Sequence, residues 1–473
     1  MSTSIFISRV NNFYFFLLCL YAFFIPTFNN FTTPIIILLL VLTIIDIKGL
    51  QKFWLTERNI IIIGLPLVFL LSSISLFYSQ KFGAGTKLVF RILPLLLFPL
   101  ILHKVSGLNN KQVKTVFRYF VFGCLLTICY SYLYVVYEAI DGSYKRLHLP
   151  ENHLAYFLNR LTYQDLVSKN IVDHSIYFGA YVLLAFTIVK SNKELFTSKI
   201  RKSILYLFVV TLVLLTPVII AISGLIVFTI FFIVQNRENK TNINRLKLLK
   251  TNALWSFIVF YLFVWKIQPH LEFIYVFNNL KYNLIIAGGI SVSIALGQVA
   301  YSIYSFRRLK LCIVLVLCGF GILLIGLFIF PFDRNSHNLS NYTARMVNNY
   351  ASVQVLKDHF LFGVGIGDVQ DNLVSIYKEL RFRKTQFNEH NQYLRFWLGS
   401  GVLTFLIFAF WLLKTMTKSV KYKNPLMICI SFTLFLFCFT ESVLVRQMGI
   451  SFFIFFIFFL YYSQPLKARE NEN

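Results

Sequence analysis

The chain has 473 residues, of which 57% are hydrophobic, 18% aromatic and only 14% charged, a balance that excludes ordinary water-soluble domains and makes a bilayer the solvent. A formal charge of +26 would point a soluble protein toward nucleic acid, but here Lys and Arg sit in short clusters between apolar runs and read as topology signals, with no nucleic acid as partner. The seven cysteines, Cys19, Cys124, Cys129, Cys312, Cys318, Cys429 and Cys438, all fall inside apolar runs without a CxxC spacing, so neither a disulfide framework nor a metal site is expected, and no cofactor.

Taken in chain order, the first apolar stretch, Asn12 to Phe28, follows a single Arg9 and lacks a small-residue cleavage site, so it reads as a first spanning helix and not as a removable signal. Lipid cannot satisfy free backbone amides, so helices must carry the chain across. Runs near the roughly 20 apolar residues that span a hydrocarbon core recur along the sequence. They fall at 12–28, 34–47, 60–78, 87–102, 116–138, 172–189, 203–218, 219–235, 252–266, 284–305, 311–331, 394–413, 425–441 and 448–462. The seventh and eighth form one continuous run, and Pro217 is where it breaks. The expected fold is all-α and polytopic, with about fourteen spans and no fewer than about twelve.

With the N-terminus inside, every short inside connection holds Lys or Arg, as the positive-inside rule requires. The alternation skips no span, which places both termini in the cytoplasm. The remaining basic residues gather in two long outside loops, Ala139 to Ile171 and Phe332 to Tyr393. The chain thus divides into an N-terminal helix bundle (1–331), a large outward-facing loop (332–393) and C-terminal helices with a cytoplasmic tail (394–473). Within the large loop, Tyr342 to Leu361 reads as an amphipathic helix, "FGVGIGD" as a turn, and Val369 to Leu380 as a second helical segment.

Several polar groups then fall on the outer side. Arg91, in "KLVFRILPLLLFPL", lies about one turn inside a span, and Lys87 precedes it by four residues on the same face. A cation at that depth is by default a functional-site hypothesis, and the pair could grip a phosphate-bearing headgroup; the plainer reading is that both side chains snorkel. His174 opens the sixth span beside Asp173, and Glu441 and Arg446 bracket a short outer turn, where such groups are also common as structural caps. Arg345 heads the amphipathic segment, and Gly363, Gly365 and Gly367 follow it. Arginine offers a planar fork of donors for phosphate oxygens, and close glycines let amides approach an anion, though a plain turn needs the same glycines.

The densest cluster is "RFRKTQFNEHNQYLRFW", with Glu389, His390, Asn391, Tyr393 and Arg395 at the mouth of the twelfth span. An imidazole there is suited to take a proton near neutral pH. An interfacial belt of polar and aromatic residues is the bland alternative.

Two stretches, "RMVNNYASVQVLKDHFLFGVGIGD" and "EHNQYLRFWLGSGVLTFLIFAF", resemble the O-antigen ligase and O-antigen polymerase superfamily, and residues 342–410 carry the likeness. In that family an Arg heads the loop, a Gly-rich turn follows, and an H-N-x-aromatic-L pattern opens the next helix. "DHSIYFGAYVLL" and "RILPLLLFPLIL" are similar to two earlier family helices. The chain departs from the pattern at "LLTPVIIAISGL", which lacks the cation that many members carry there. The resemblance implies an inner-membrane glycosyltransferase without a metal. Its donor is a glycan linked to undecaprenyl diphosphate, and its acceptor is either lipid A core (a ligase) or a second carrier-linked glycan (a polymerase). His390 would then be the base or acceptor-positioning residue, with Arg345 and Arg91 on the diphosphate. Lys87, His174, Glu389, Asn391, Arg395, Glu441 and Arg446 would contact substrate. The rival from another class is a polysaccharide flippase or transporter, which would hold its polar groups near the bilayer midplane.

Overall fold

An apolar run satisfies its own amides and carbonyls only by coiling into a helix. A computed structural model describes residues 2–46, 59–140, 175–215, 341–379 and 389–464, and their regular structure is entirely helical. In chain order the helices are α1 (Ser2–Phe24), α2 (Thr32–Ile45), α3 (Ile60–Ile74) with a 3-10 turn at Ser75–Tyr78, α4 (Phe82–Ile92), α5 (Pro94–Ile101), α6 (Asn110–Ile140), α7 (Ser175–Ser191) and α8 (Ser198–Leu215). They continue with α9 (Asn341–Asp358), α10 (Val369–Glu379), α11 (Gln392–Lys421), α12 (Pro425–Phe437) and α13 (Gln447–Tyr462).

Every expected apolar run that the described residues cover is helical. The runs at 219–235, 252–266, 284–305 and 311–331, the break at Pro217 and the loop 139–171 lie outside them. Four stretches, Ile60–Tyr78, Phe82–Gly107, Asn110–Tyr134 and Gln392–Lys421, are long and apolar enough to cross a membrane. Their outer surfaces are bare. Leu67, Leu70, Ile74 and Phe77 form an exposed stripe along α3 and its 3-10 turn, Leu403, Leu406, Phe410 and Leu413 one along α11, and Phe122, Leu126, Tyr130, Leu133 and Tyr137 one along α6. Three- and four-residue spacing puts each set on one face. Continuous apolar surface of this extent is accommodated by lipid and not by water.

Behind these faces, α13 is apolar all round and buried from Ile450 to Tyr462, as a helix at the centre of a bundle must be. Its rings meet α1, α6 and α7 at centroid distances of 4.6 Å in Tyr21–Phe455, Phe120–Phe456 and Tyr181–Phe452. One turn of α13, Ile450–Ile454, is a π-helix, and the Tyr21 hydroxyl donates to the Ser451 carbonyl within it at 3.2 Å.

Contacts sort the helix ends into two groups. At one end Lys104 pairs with Asp46 at 3.2 Å, Lys114 pairs with Glu194, Asn59 donates to the Tyr461 hydroxyl at 2.8 Å, and Lys418 lies over the Tyr461 ring. At the other, Gln447 donates to the Asn29 carbonyl, Tyr78 to the Phe362 carbonyl at 2.6 Å, and the Gln392 amide to the Cys438 carbonyl at 2.8 Å. Helices α9 and α10 belong to this second end. They pack a small core of their own, including Val347, Ala351, Val355, Leu373 and Tyr377, onto Leu398 in the first turns of α11.

Candidate functional site

Asn391 starts the site because it starts a helix. Its side chain accepts from the amides of Tyr393 and Leu394 at 3.0 and 3.1 Å, capping α11, the role for which Asn is strongly preferred. The residue before it, His390, has a left-handed backbone with φ of 47°, unusual for a non-glycine residue. On its two sides Glu389 and Asn391 are buried, while the His390 side chain is 27% exposed.

Four ionisable side chains at this turn are paired with one another. His390 Nδ1 lies 3.2 Å from Glu441 Oε2, bringing together residues 51 positions apart, and the carboxylate is buried. Arg395 Nη1 donates to Glu389 Oε2 at 3.5 Å, and Ser442 Oγ to Glu389 Oε1 at 2.7 Å. Gln392 accepts from the Leu444 amide at 2.6 Å. The 438–446 turn is thereby tied to the head of α11, and Glu441 is presented to His390. Glu441 and Arg446 stand on either side of the Val443–Val445 turn; Glu441 faces the imidazole, while Arg446, half-buried, caps the start of α13 with its backbone.

A third layer comes from the loop helices. Tyr377 donates to Asn348 Oδ1 at 2.9 Å. Burial, and secondarily the negative Glu389 nearby, holds its phenol above the usual range, so it remains a donor. Asn348 therefore links α9 to the neighbourhood of Glu389, and Arg345 stands one helical turn before it on α9. Only the backbone of Arg345 is described, and His174 lies outside the described residues. Tyr181, seven residues beyond His174, donates its hydroxyl to the Met448 carbonyl at 3.4 Å, which brings the outer part of α7 alongside the start of α13. Helix α4 packs on Val443–Val445 and carries Lys87 and Arg91 on an exposed surface.

Of the two readings of the glycine-rich turn, the structure favours the plain turn. Five of its amides are already engaged inside the protein and are not free to cradle an anion. Gly363 donates to His359 O, Val364 to Leu398 O, Ile366 to Ser75 Oγ, Gly367 to Ser79 Oγ and Asp368 to Gly365 O. The glycines serve close packing on the end of α3, where a Cβ on Gly365 or Gly367 would collide with Ser79 or the Lys81 carbonyl.

Asp368, the last letter of "FGVGIGD", was not among the expected residues. Its two carboxylate oxygens accept from the amides of Gln80 and Lys81 at 2.7 and 2.8 Å, while Lys81 pairs with Asp371. This clamps the loop to the head of α4. Asp368→Ala is expected to cost about 2 kcal/mol, the typical worth of hydrogen bonds to a charged group, and Asp368→Asn less. A thermal melt in detergent with proteolysis of the 341–379 segment measures both.

Among the described residues there is no group of three or more His, Cys, Asp or Glu side chains placed to hold a metal. No family model matches the chain, and no curated protein matches it.

Proposed function

We propose that the chain is a polytopic glycosyltransferase of about fourteen spans in a bacterial inner membrane. It moves an oligo- or polysaccharide from a polyprenyl (undecaprenyl) diphosphate carrier to an acceptor hydroxyl at the outer face, in the manner of an O-antigen ligase or polymerase. The observation that carries the reading is the His390–Glu441 contact, at the same end of the bundle as the Lys87 and Arg91 helix. The sorted helix ends support the sidedness: Lys104, Lys114 and Lys418 gather away from His390, as the positive-inside rule asks of a cytoplasmic face.

The chemistry follows from the partners. With Nδ1–H donated to Glu441, the imidazole keeps the tautomer in which Nε2 is a base, the usual effect of a carboxylate behind a histidine. Nε2 takes the proton of the acceptor hydroxyl as its oxygen forms the new bond to the anomeric carbon. The bond from that carbon to the diphosphate breaks, and the leaving diphosphate keeps the electron pair. Lys87, Arg91 and Arg345 supply the cations that stabilise this growing charge. Glu389, Asn391 and Arg395 are buried and engaged with their neighbours, so in this scheme they shape the turn that aims His390. A single displacement inverts the anomeric centre. The sequence-level rival, a transporter, expects its polar groups at the bilayer midplane, whereas this network sits where helices begin and end.

His390→Ala is expected to reduce envelope glycan transfer by about 10²–10⁴-fold, the range of a lost acid–base contribution, and Arg345→Ala by about 10²–10³-fold, the range of a lost charge-stabilising donor, each with unchanged abundance in the membrane. Glycan gels beside immunoblots measure both. Normal glycan at normal abundance removes the catalytic assignment. Accumulation of unligated polymer assigns the ligase branch, and accumulation of single repeat units the polymerase branch.

A further inference from the structure

The turn between α9 and the glycine-rich segment presents three large apolar side chains in succession. Phe360, Leu361 and Phe362 are exposed, Phe362 to 73%. A mobile tip could hide such residues, but this one is pinned. Trp397 Nε1 donates to the Phe360 carbonyl at 2.9 Å, the Val402 amide to the Leu361 carbonyl at 3.2 Å, and the Tyr78 hydroxyl to the Phe362 carbonyl at 2.6 Å. With these carbonyls held by α11 and by the turn after α3, Leu361 and Phe362 are left bare, and Phe360 is half-exposed beside the Trp397 ring, 5.1 Å between centroids.

Those anchors also fix where the tip stands. Val402 is next to Leu403, the first residue of the bare α11 stripe, and Tyr78 is next to Phe77, the last of the bare α3 stripe and 87% exposed. The tip is continuous with both stripes and closes them at the end of the bundle where His390 lies. The residues just before it, Lys357, Asp358 and His359, are exposed and polar, and the indole N–H of Trp397 is placed as in an interfacial aromatic belt. A run of exposed apolar side chains next to a run of exposed polar ones, with an indole bonded at their junction, forms the profile of a segment lying at the boundary of headgroups and acyl chains.

We infer that Phe360–Phe362 is immersed in the acyl layer of the leaflet at that end of the bundle, so that the outer loop is a membrane-dipping element and not a domain standing clear of the bilayer. The dip anchors the C-terminal end of α9, the helix that carries Arg345, at headgroup depth. The inference needs only the membrane environment and stands or falls independently of the glycan chemistry proposed above.

The test places a fluorescent noncanonical amino acid at Phe362, or at Leu361, in the full chain in liposomes, with control probes at Ser375 and Lys378 on α10, both exposed. Quenching is compared between lipids carrying a nitroxide midway down the acyl chain and iodide in the buffer. The expected result is several-fold stronger quenching by the nitroxide lipid at 361 and 362, with the order reversed at 375 and 378. Iodide quenching at 362 equal to that at 375 overturns the inference. So does protection from both quenchers, the signature of a protein partner seated on the tip. Paired probes at 361 and 362 that agree, while the controls stay aqueous, exclude a misfolded loop as the source of the signal.

Discussion

Glu389→Ala is expected to lower the unfolding midpoint of the detergent-purified protein more than any other single change around His390. Glu389 is almost wholly buried, and so is its partner Arg395. Removing the carboxylate strands a guanidinium out of water and also leaves the Ser442 hydroxyl without its 2.7 Å acceptor. Breaking a buried pair from one side costs about 3–5 kcal/mol, whereas replacing both members with apolar side chains of similar volume is often neutral. The double variant Glu389→Leu with Arg395→Met should therefore recover most of the loss. If the single variant melts with the parent, the ion pair at 3.5 Å is not holding the turn, and the positioning role given to Glu389 fails with it.

Gly401→Ala is expected to be the second severe change, for a different reason. Its backbone, φ 84° and ψ 175°, lies in a region essentially reserved for glycine, and strain there costs about 1–3 kcal/mol. A methyl group would also meet the Leu361 carbonyl and Phe362 Cα, which are main chain and cannot turn aside. Overpacking of that kind adds about 1–3 kcal/mol, so the total is on the order of 4 kcal/mol. Thermal unfolding and protease cleavage at 359–362 should both report it. Gly83→Ala is the internal comparison, since a Cβ there meets nothing within 4 Å; a melt that moves equally in both variants would refute the account.

The helices were legible because lipid imposes one rule that hydropathy reads directly. What hydropathy misreads is where they stop. The expected span 394–413 is the apolar part of α11, yet the helical stretch, kinked at Gly401, runs on to Lys421. Lys414 and Lys418 end the apolar run without ending the helix, each placing its ammonium over a ring, Phe410 and Tyr461, a cation–π arrangement. At the site, His390 and Glu441 were each legible as outer polar groups. Their contact was not, because only the docking of the 438–446 turn on α11 joins residues so far apart in sequence. The glycine spacing left two readings open for a related reason: closely spaced glycines announce close backbone approach, but spacing carries no sign of which partner approaches. Here it is α3, through Ser75 and Ser79. Asp368 escaped notice because its targets, Gln80 and Lys81, are nearly three hundred residues away.

The left-handed backbone at His390 bears on which replacement isolates the imidazole. Histidine already pays the Cβ cost of a positive φ, about 1 kcal/mol or more, and it occupies that region more readily than alanine does, so His390→Ala removes a ring and a residue type better suited to this backbone at once. Asparagine tolerates that region far better, is short and polar, and carries no titratable nitrogen. His390→Asn is thus the variant in which a loss of transfer belongs to proton chemistry alone, and an Asn variant that matched Ala in failure but exceeded it in melting temperature would separate the two contributions cleanly.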